Sequence, residues 1–491
     1  MERLSQTGDV AVALAGWTGG EGPLYRRLAA AFRRAIERGE LPAGSRLPAE
    51  RDLARLLSVS RSTVVAAYED LRREGWIRSR QGSGTWVRGI ARRAGPEAPP
   101  GRSSSALRAL IEAPADAIEF TVAALAADHV LDMALDDDFA GRVIADLRSA
   151  GRHHGYRPQG LPELREAIAA HMSGWGLPTS PEEVLVTTGA QQAIALAAAA
   201  FVRPGDPVVV EDPTFVAALD ALAGAGARVL GVPVGPQGVR VDALRERIAA
   251  SGARLVYLIP TFHNPTGSVL PEGKRREVAA LAEEFGVPVI DDATLTDIPL
   301  EGDPPPPLAA FAPGAPILTV GSVSKLFWGG LRVGWIRAAE PLIARLVRVK
   351  LVADHGSAVP GQLLALHLFE RMGTIRPARL ALVRDRHRML EELLRRHLPS
   401  WSWTPPRGGL CLWVRLPTGD ARDLARVAQH HGVLVVPGSL ASVSGGFADH
   451  VRLPFVHDPA TMEEGVRRLA QAWEACVAEP ARNEPALGVV V

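Results

Sequence analysis

The chain is short of several residue types. Only three of its 491 residues are lysine, Lys274, Lys325 and Lys350, and the other 52 basic residues are arginine. Chemistry that needs a primary side-chain amine therefore has three candidates. Cysteine occurs twice, at Cys411 and Cys476, too few for a disulfide framework or a zinc set. No apolar run reaches the roughly 18 residues that a spanning helix requires; the best stretch, Ala193–Val202, stops at Arg203. The first thirty residues lack a basic start followed by a continuous apolar block, so no secretory signal is expected and the expected location is the cytoplasm. With 47% apolar and 22% charged residues, wholesale disorder is excluded. The length suggests about three domains.

The near-neutral total hides an asymmetry. Residues 1–93 hold 17 arginines against 10 acidic residues, a balance of +7, which leaves −6 for the remainder of a chain that is +1 overall. A basic module on a mildly acidic body points to a polyanionic partner for the first part alone. Between them, residues 91–106 (ARRAGPEAPPGRSSSA) are rich in Pro, Gly, Ser and Arg and read as an exposed linker. Short β-branched runs then alternate with helical stretches. The runs are Val184–Thr187, Val208–Glu211, Val229–Val234, Leu255–Ile259, Val287–Ile290 and Ile317–Val320. This spacing predicts an α/β architecture, a mainly parallel sheet covered on both faces. The block Trp401–Cys476 reads as a smaller α+β lobe.

In the basic module, Leu24, Leu28, Phe32 and Ile36 share one helical face. The segment RLPAERDLARLLSVSRSTVVAAYEDLRREGW divides into two helices around a turn at Leu57–Ser60, with Leu53, Leu56 and Leu57 as the apolar side of the first. Ser60 is placed to cap the second, whose core face is Val64, Ala67, Tyr68 and Leu71. Arg61, Ser62 and Thr63 project from its first turn, as a major-groove reader requires. IRSRQGSGTWV reads as a small hairpin around Gly82-Ser83-Gly84. An ordinary three-helix bundle with solvated arginines is the plainer alternative; turn, helix start, hairpin and charge together favour DNA.

Over residues 20–89 these motifs resemble the winged helix-turn-helix domain of the GntR regulators: Leu-Pro-x-Glu-Arg, a Val-Ser-Arg-x-Thr-Val helix start and an x-x-Gly-x-Gly-Thr wing. The resemblance implies contacts to double-stranded operator DNA by Arg51, Ser60, Arg61, Ser62 and Thr63, with Gln81 and Gly82 on the wing. Val65 stands where some members carry an arginine.

In the body, GSVSKLFWGGLRVGW (residues 321–335) places a lysine after a strand, small hydroxyl residues before it and an arginine seven positions on. A lysine amine forms an imine with an aldehyde cofactor, and Ser322, Ser324 and Arg332 can hold a phosphate beside it. VTTGAQQA (186–193) opens a helix through Gly189, where the Gly189 and Ala190 amides make an anion site and Thr188 and Gln191 add donors. HNPTG (263–267) places Asn264 on a turn after a strand, within reach of a phenolate oxygen. VPVIDDATL puts Asp291 and Asp292 at a strand end, where a carboxylate would keep a pyridine nitrogen protonated. Each segment alone could be an ordinary helix start, turn or strand cap. Their shared position at strand ends is where open α/β sheets bind ligands.

Over residues 118–478 the chain resembles the fold-type I pyridoxal-phosphate aminotransferases. The resemblance implies pyridoxal 5′-phosphate as cofactor, Lys325 as the imine lysine, Asp292 as the pyridine partner, Asn264 near the 3-oxygen, and Arg332 with Ser322 at the phosphate. It places Phe215 on the ring, Tyr156 at the neighbouring subunit's phosphate in a homodimer, and Arg452 on a carboxylate of an amino acid or amine effector. It also implies a small lobe over about 355–478. Thr294 and Leu295 stand where that family usually has a tyrosine bonded to the 3-oxygen. A winged helix joined by a linker (90–117) to such a domain is the layout of the MocR regulators, and WGGLRVGW with Asp-Asp-Ala-Thr is similar to the branch named YczR. The implied function is a cofactor-dependent transcriptional regulator. An active aminotransferase with an accessory DNA-binding domain, and a DNA binder whose large domain merely dimerises, are the alternatives. The adjacent pairs His153–His154 and His430–His431 read as solvated or packing residues, since neighbouring side chains diverge, and no metal is expected.

Overall fold

The computed structural model describes residues 14, 17, 23–37, 41, 45–57, 59–73, 76–80, 84–87 and 117–478. The chain divides into two compact units, Met1–Pro99 and Pro100–Val491. The expected linker, 90–117, falls almost wholly outside the described residues, as do Gln81 and Gly82.

In the first unit, helices Leu24–Glu37, Glu50–Leu56 and Arg61–Arg73 pack around Leu28, Phe32, Leu53, Val64, Ala67, Tyr68 and Leu71, all buried. Strand β1 (Arg46–Leu47) joins the hairpin of β2 (Ile77–Arg80) and β3 (Gly84–Val87) in the order β1-β3-β2. The hairpin follows the sequence pattern; β1, only two residues long, gives no periodic signal. Leu56, the last residue of its helix, is 38% exposed although the sequence pattern places it on the apolar side.

Among the described residues of the second unit the first strand is β4 (Ile118–Phe120), whose pairing lies far along the chain. The eight-stranded sheet follows: β5 (Val184–Thr187), β6 (Pro207–Asp212), β7 (Arg228–Gly235), β8 (Gly238–Val239), β9 (Leu255–Leu258), β10 (Val289–Asp292), β11 (Ile317–Ser322) and β12 (Gly334–Arg337). Its order is β5-β12-β11-β10-β9-β6-β7-β8. β5, β6, β7, β9, β10 and β11 run one way; β12 and β8 run against them. Alternate residues feed opposite faces. Val184, Val186, Val256 and Val289 enter one core, while Leu185, Leu255, Tyr257 and Ile290 enter the other. Helices including Ala190–Phe201 and Glu272–Phe285 cover the sheet.

The eight-stranded sheet departs from the sequence pattern at the two-residue β8, which no run announces, and at two longer strands. β10 runs two residues later than Val287–Ile290, because Pro288 has no N–H for the ladder and regular pairing starts at Val289. β12, which no β-branched run announces, is an antiparallel strand inserted between β5 and β11. The remaining sheet, β13 (Ser402–Trp403), β14 (Cys411–Arg415), β15 (Val433–Pro437) and β16 (His450–Pro454), has the order β13-β14-β16-β15-β4. Thus β4 pairs in parallel with β15, more than 300 residues downstream. Among the described residues no helix is long and apolar enough to cross a membrane.

Candidate functional site

The motif-bearing loops leave the carboxyl ends of β5, β6, β9, β10 and β11, strands of one direction in one sheet. After β5, the Thr187 hydroxyl donates to the Gly189 carbonyl (3.0 Å), and Gly189 adopts φ +82°. A Cβ at Gly189 would lie 2.9 Å from Nη2 of Arg332, so glycine is required both by conformation and by this close approach. The Gly189 and Ala190 amides face out of the helix start without intrahelical acceptors. Arg332, itself at φ +53°, donates from Nη2 to the Thr188 carbonyl at 2.8 Å. Backbone amides and a guanidinium therefore meet in a cradle suited to a dianionic phosphate. The Gln191 amide is used elsewhere, donating to the Ala217 carbonyl (2.7 Å), while Gln192 accepts the Thr188 N–H (2.7 Å).

Gly321 in β11 admits no side chain, since a Cβ would sit 2.2 Å from the Trp335 indole. The Ser322 hydroxyl donates to the Val333 carbonyl (3.1 Å) and lies 2.9 Å from Ser324 Oγ. One turn of π-helix, Ser324–Trp328, then carries Lys325. Its Nζ donates to the Ala123 carbonyl at 2.7 Å. Burial, reinforced by the Arg452 charge and opposed by Asp292 and Cys411, pulls the amine down to a pKa of about 8. Arg452, on β16 and 8% exposed, donates to the Thr121 carbonyl, and its Nε has no partner among the described residues. The two cations are thus held by carbonyls of one short segment that follows β4.

Sequence reasoning missed several groups that fix this geometry. Arg379, fully buried, donates to the carbonyls of Leu326 (2.9 Å), Phe327 (2.6 Å) and Ala126 (3.0 Å), clamping the lysine turn. Cys411 is buried close enough to sense Lys325 and Arg452, yet burial dominates and raises its thiol pKa. Tyr257, on the neighbouring strand β9, donates to Asp292 Oδ2 at 2.7 Å. Asp292 Oδ1 accepts from Thr294 N (3.1 Å) and Thr294 Oγ1 (2.7 Å). Strand alternation separates the two aspartates: Asp291 faces away and accepts the Leu308 N–H (2.8 Å). Its pKa is raised by burial to about 6.

Behind the turn, His263 Nε2 lies 3.5 Å from Glu211 Oε2, both buried. Burial lifts Glu211 to about 8 and depresses His263 to about 3, so the pair is neutral near pH 7. Asn264 is half-buried, and its amide has no partner among the described residues. Phe215 is half-buried at the start of helix Val216–Gly224, and Tyr156 is 66% exposed. His153 is exposed and His154 Nδ1 accepts the Tyr156 N–H (3.1 Å). Among the described residues no cluster of His, Cys, Asp or Glu is arranged to hold a metal.

In the first unit, Ser60 Oγ accepts the Thr63 N–H (3.1 Å) and lies 2.8 Å from Ser62 Oγ. Arg51, Ser60, Arg61 and Ser62 are exposed and Thr63 half-buried. Arg61 pairs with Glu50 at 3.2 Å across the turn. Both are solvent-accessible, so the pair orients the guanidinium more than it stabilises the fold.

An open anion cradle, a buried amine of low basicity, a strand-end carboxylate and an unpartnered amide fit a phosphorylated pyridine aldehyde. Residues 128–469 match the aminotransferase class I and II family, and residues 24–87 the bacterial regulatory proteins of the gntR family. The second unit is thus an aminotransferase class I and II domain, a fold whose homologues depend on pyridoxal phosphate. The chain belongs to the MocR-type regulators, in which a GntR helix-turn-helix region is fused to such a domain. It is 31% identical to the HTH-type transcriptional regulator YisV of Bacillus subtilis over 91% of this chain and 96% of YisV. It is 28% identical to the probable rhizopine catabolism regulatory protein MocR of Rhizobium meliloti, over 92% and 94%. Among solved structures it is similar to LysN, the α-aminoadipate aminotransferase of Thermus thermophilus, complexed with N-(5′-phosphopyridoxyl)-L-leucine. That match has a TM-score of 0.69 at 30% identity over 77% of this chain and 96% of LysN.

Proposed function

We propose that this regulator binds operator DNA as a homodimer through residues 20–89 and senses pyridoxal phosphate, or an amino compound that meets it, at Lys325 in the domain 118–478. The observation that carries the reading is the convergence of Lys325, Asp292, Arg332 and the Gly189 turn at the ends of neighbouring strands, in a chain that also has a GntR reader. When bound, the cofactor supplies an aldehyde, an electron-withdrawing ring and a phosphate handle. Lys325 would hold the aldehyde; its low pKa keeps part of the amine neutral and nucleophilic near pH 7. Asp292 would face the ring nitrogen, Asn264 the phenolic oxygen and Phe215 the ring. Arg332, Ser322, Ser324, Thr188 and the Gly189 and Ala190 amides would surround the phosphate, with Gln191 beside them. Tyr156 would reach the phosphate of the other protomer. Arg452 would receive an effector carboxylate.

On the DNA side, Arg51, Ser60, Arg61, Ser62 and Thr63 would meet the groove, with Gln81 and Gly82 at the wing. A ligand alters DNA affinity only by favouring one arrangement of the molecule. Turnover as an aminotransferase is disfavoured because Thr294 donates its hydroxyl to Asp292 and Leu295 is buried and apolar. Neither offers a hydroxyl to the phenolic oxygen. Gel-shift titrations at fixed salt, with and without pyridoxal phosphate, on wild type and Lys325→Ala test the proposal. Borohydride trapping with mapping of the modified residue accompanies them. A cofactor-dependent shift lost in Lys325→Ala is expected; identical affinity in every condition overturns the sensing role.

A further inference from the structure

Lys350 is the most buried of the three lysines, at 0% exposure, and every hydrogen-bond partner of its amine is a side chain. It lies near the end of helix Glu340–Ala353. Its Nζ donates to both oxygens of Asp354 (2.9 and 2.7 Å), to Gln192 Oε1 (3.2 Å) and to Ser357 Oγ (3.2 Å). Three N–H donors are fully engaged, which is what a buried ammonium requires.

The partners of Lys350 are in turn those of the anion cradle. Gln192 Oε1 accepts the Thr188 N–H at 2.7 Å, and Gln192 Nε2 donates to Asp354 at 2.6 Å. Ser357 Oγ is 3.4 Å from Thr188 Oγ1. Asp354 also accepts the Gly356 N–H at 2.9 Å. Gly356, at φ +133°, packs so tightly on residue 157 that a Cβ would lie 2.6 Å from the Arg157 carbonyl oxygen. One ammonium therefore organises the residue that opens the cradle, Thr188, and the loop against which the Tyr156–Arg157 segment rests.

We infer that Lys350, through Gln192, Asp354 and Ser357, is a positioning residue for the phosphate site, setting the Thr188–Ala190 turn without touching the ligand. Because Gln192 occupies the Thr188 N–H, that amide is withdrawn from the anion, and the donors this turn itself retains are the Gly189 and Ala190 amides and the Thr188 hydroxyl. Loss of the ammonium leaves Asp354 and Gln192 without their common donor, and the turn loses its fixed direction. The effect falls on the phosphate alone, since Lys325 and Asp292 hold the aldehyde and ring from other strands. This rests on the proposed cofactor site.

The test compares pyridoxal phosphate with phosphate-free pyridoxal on the full-length protein. Dissociation constants for both aldehydes are read by absorbance for wild type, Lys350→Met and Gln192→Ala. Wild-type binding with a borohydride-trapped adduct at Lys325 examines the cofactor site itself, so its failure is visible before any variant is compared. Lys350→Met and Gln192→Ala are each expected to weaken pyridoxal phosphate about tenfold, the scale of one lost charge-assisted hydrogen bond, with pyridoxal affinity unchanged within about twofold. Equal weakening of both aldehydes, or of neither, overturns the inference. Should Lys350→Met fail to fold by circular dichroism, Gln192→Ala decides alone.

Discussion

Lys325 differs from an ordinary lysine chiefly by its surroundings. Burial, with the amine held on the Ala123 carbonyl, removes water from its ammonium, and Arg452 adds like-charge repulsion. The amine therefore sheds its proton near pH 8 instead of 10.5. Attachment of pyridoxal phosphate, followed by absorbance, should accelerate through pH 8 and level off above it, with the rate at pH 7 about a tenth of the plateau. A rate still climbing toward pH 10 would mean that the amine is solvated. Glu211 and His263 show the same physics without a role in attachment: two groups fully withdrawn from water, each driven to its neutral form.

At the scale of elements, the helix Arg61–Arg73 depends on a single capping hydroxyl. Ser60 Oγ accepts the Thr63 N–H, one of the orphan amides of that helix start. Ser60→Ala should lower the stability of the first unit by about 1 kcal/mol, read as a shift in its thermal transition. It should weaken DNA binding as well, because the same turn presents Arg61 and Ser62. The cap was legible in the sequence, and so was the placement of Asp292, Asn264 and Lys325 at or just beyond strand ends, because each follows a β-branched run by a few residues. Arg379, Lys350 and Tyr257 were not. Arg379 and Tyr257 bond to groups 53 and 35 residues away, and Lys350, besides its i+4 partner Asp354, bonds to Gln192 at a separation of 158 residues; no local period records those long-range contacts. Strand β12 escaped for a related reason: its four residues follow the glycine-rich lysine turn, and its pairing with β5 closes a loop of about 150 residues.

At the scale of the molecule, the dimer reading turns on Tyr156, which is 66% exposed in a single chain and whose ring meets those of His154 and His355. Mixing Tyr156→Ala with Lys325→Ala chains should restore one intact site per heterodimer. About a quarter of wild-type cofactor occupancy should return in a one-to-one statistical mixture, half of whose dimers are heterodimers, at a concentration that leaves both parent homodimers poorly loaded, for a loss of about tenfold per missing hydrogen bond. No recovery would place the tyrosine in its own protomer's site.

The carbonyls of Thr121 and Ala123, which hold Arg452 and Lys325, lie immediately after β4, the first described strand of the second unit. An aldehyde taking the amine and a carboxylate taking the guanidinium would strip both acceptors of their donors within three consecutive residues. Those oxygens must then find water or new N–H groups, and the backbone that bears them gains slack. Filling the pocket as proposed would thus loosen the backbone of residues 121–123, just after β4.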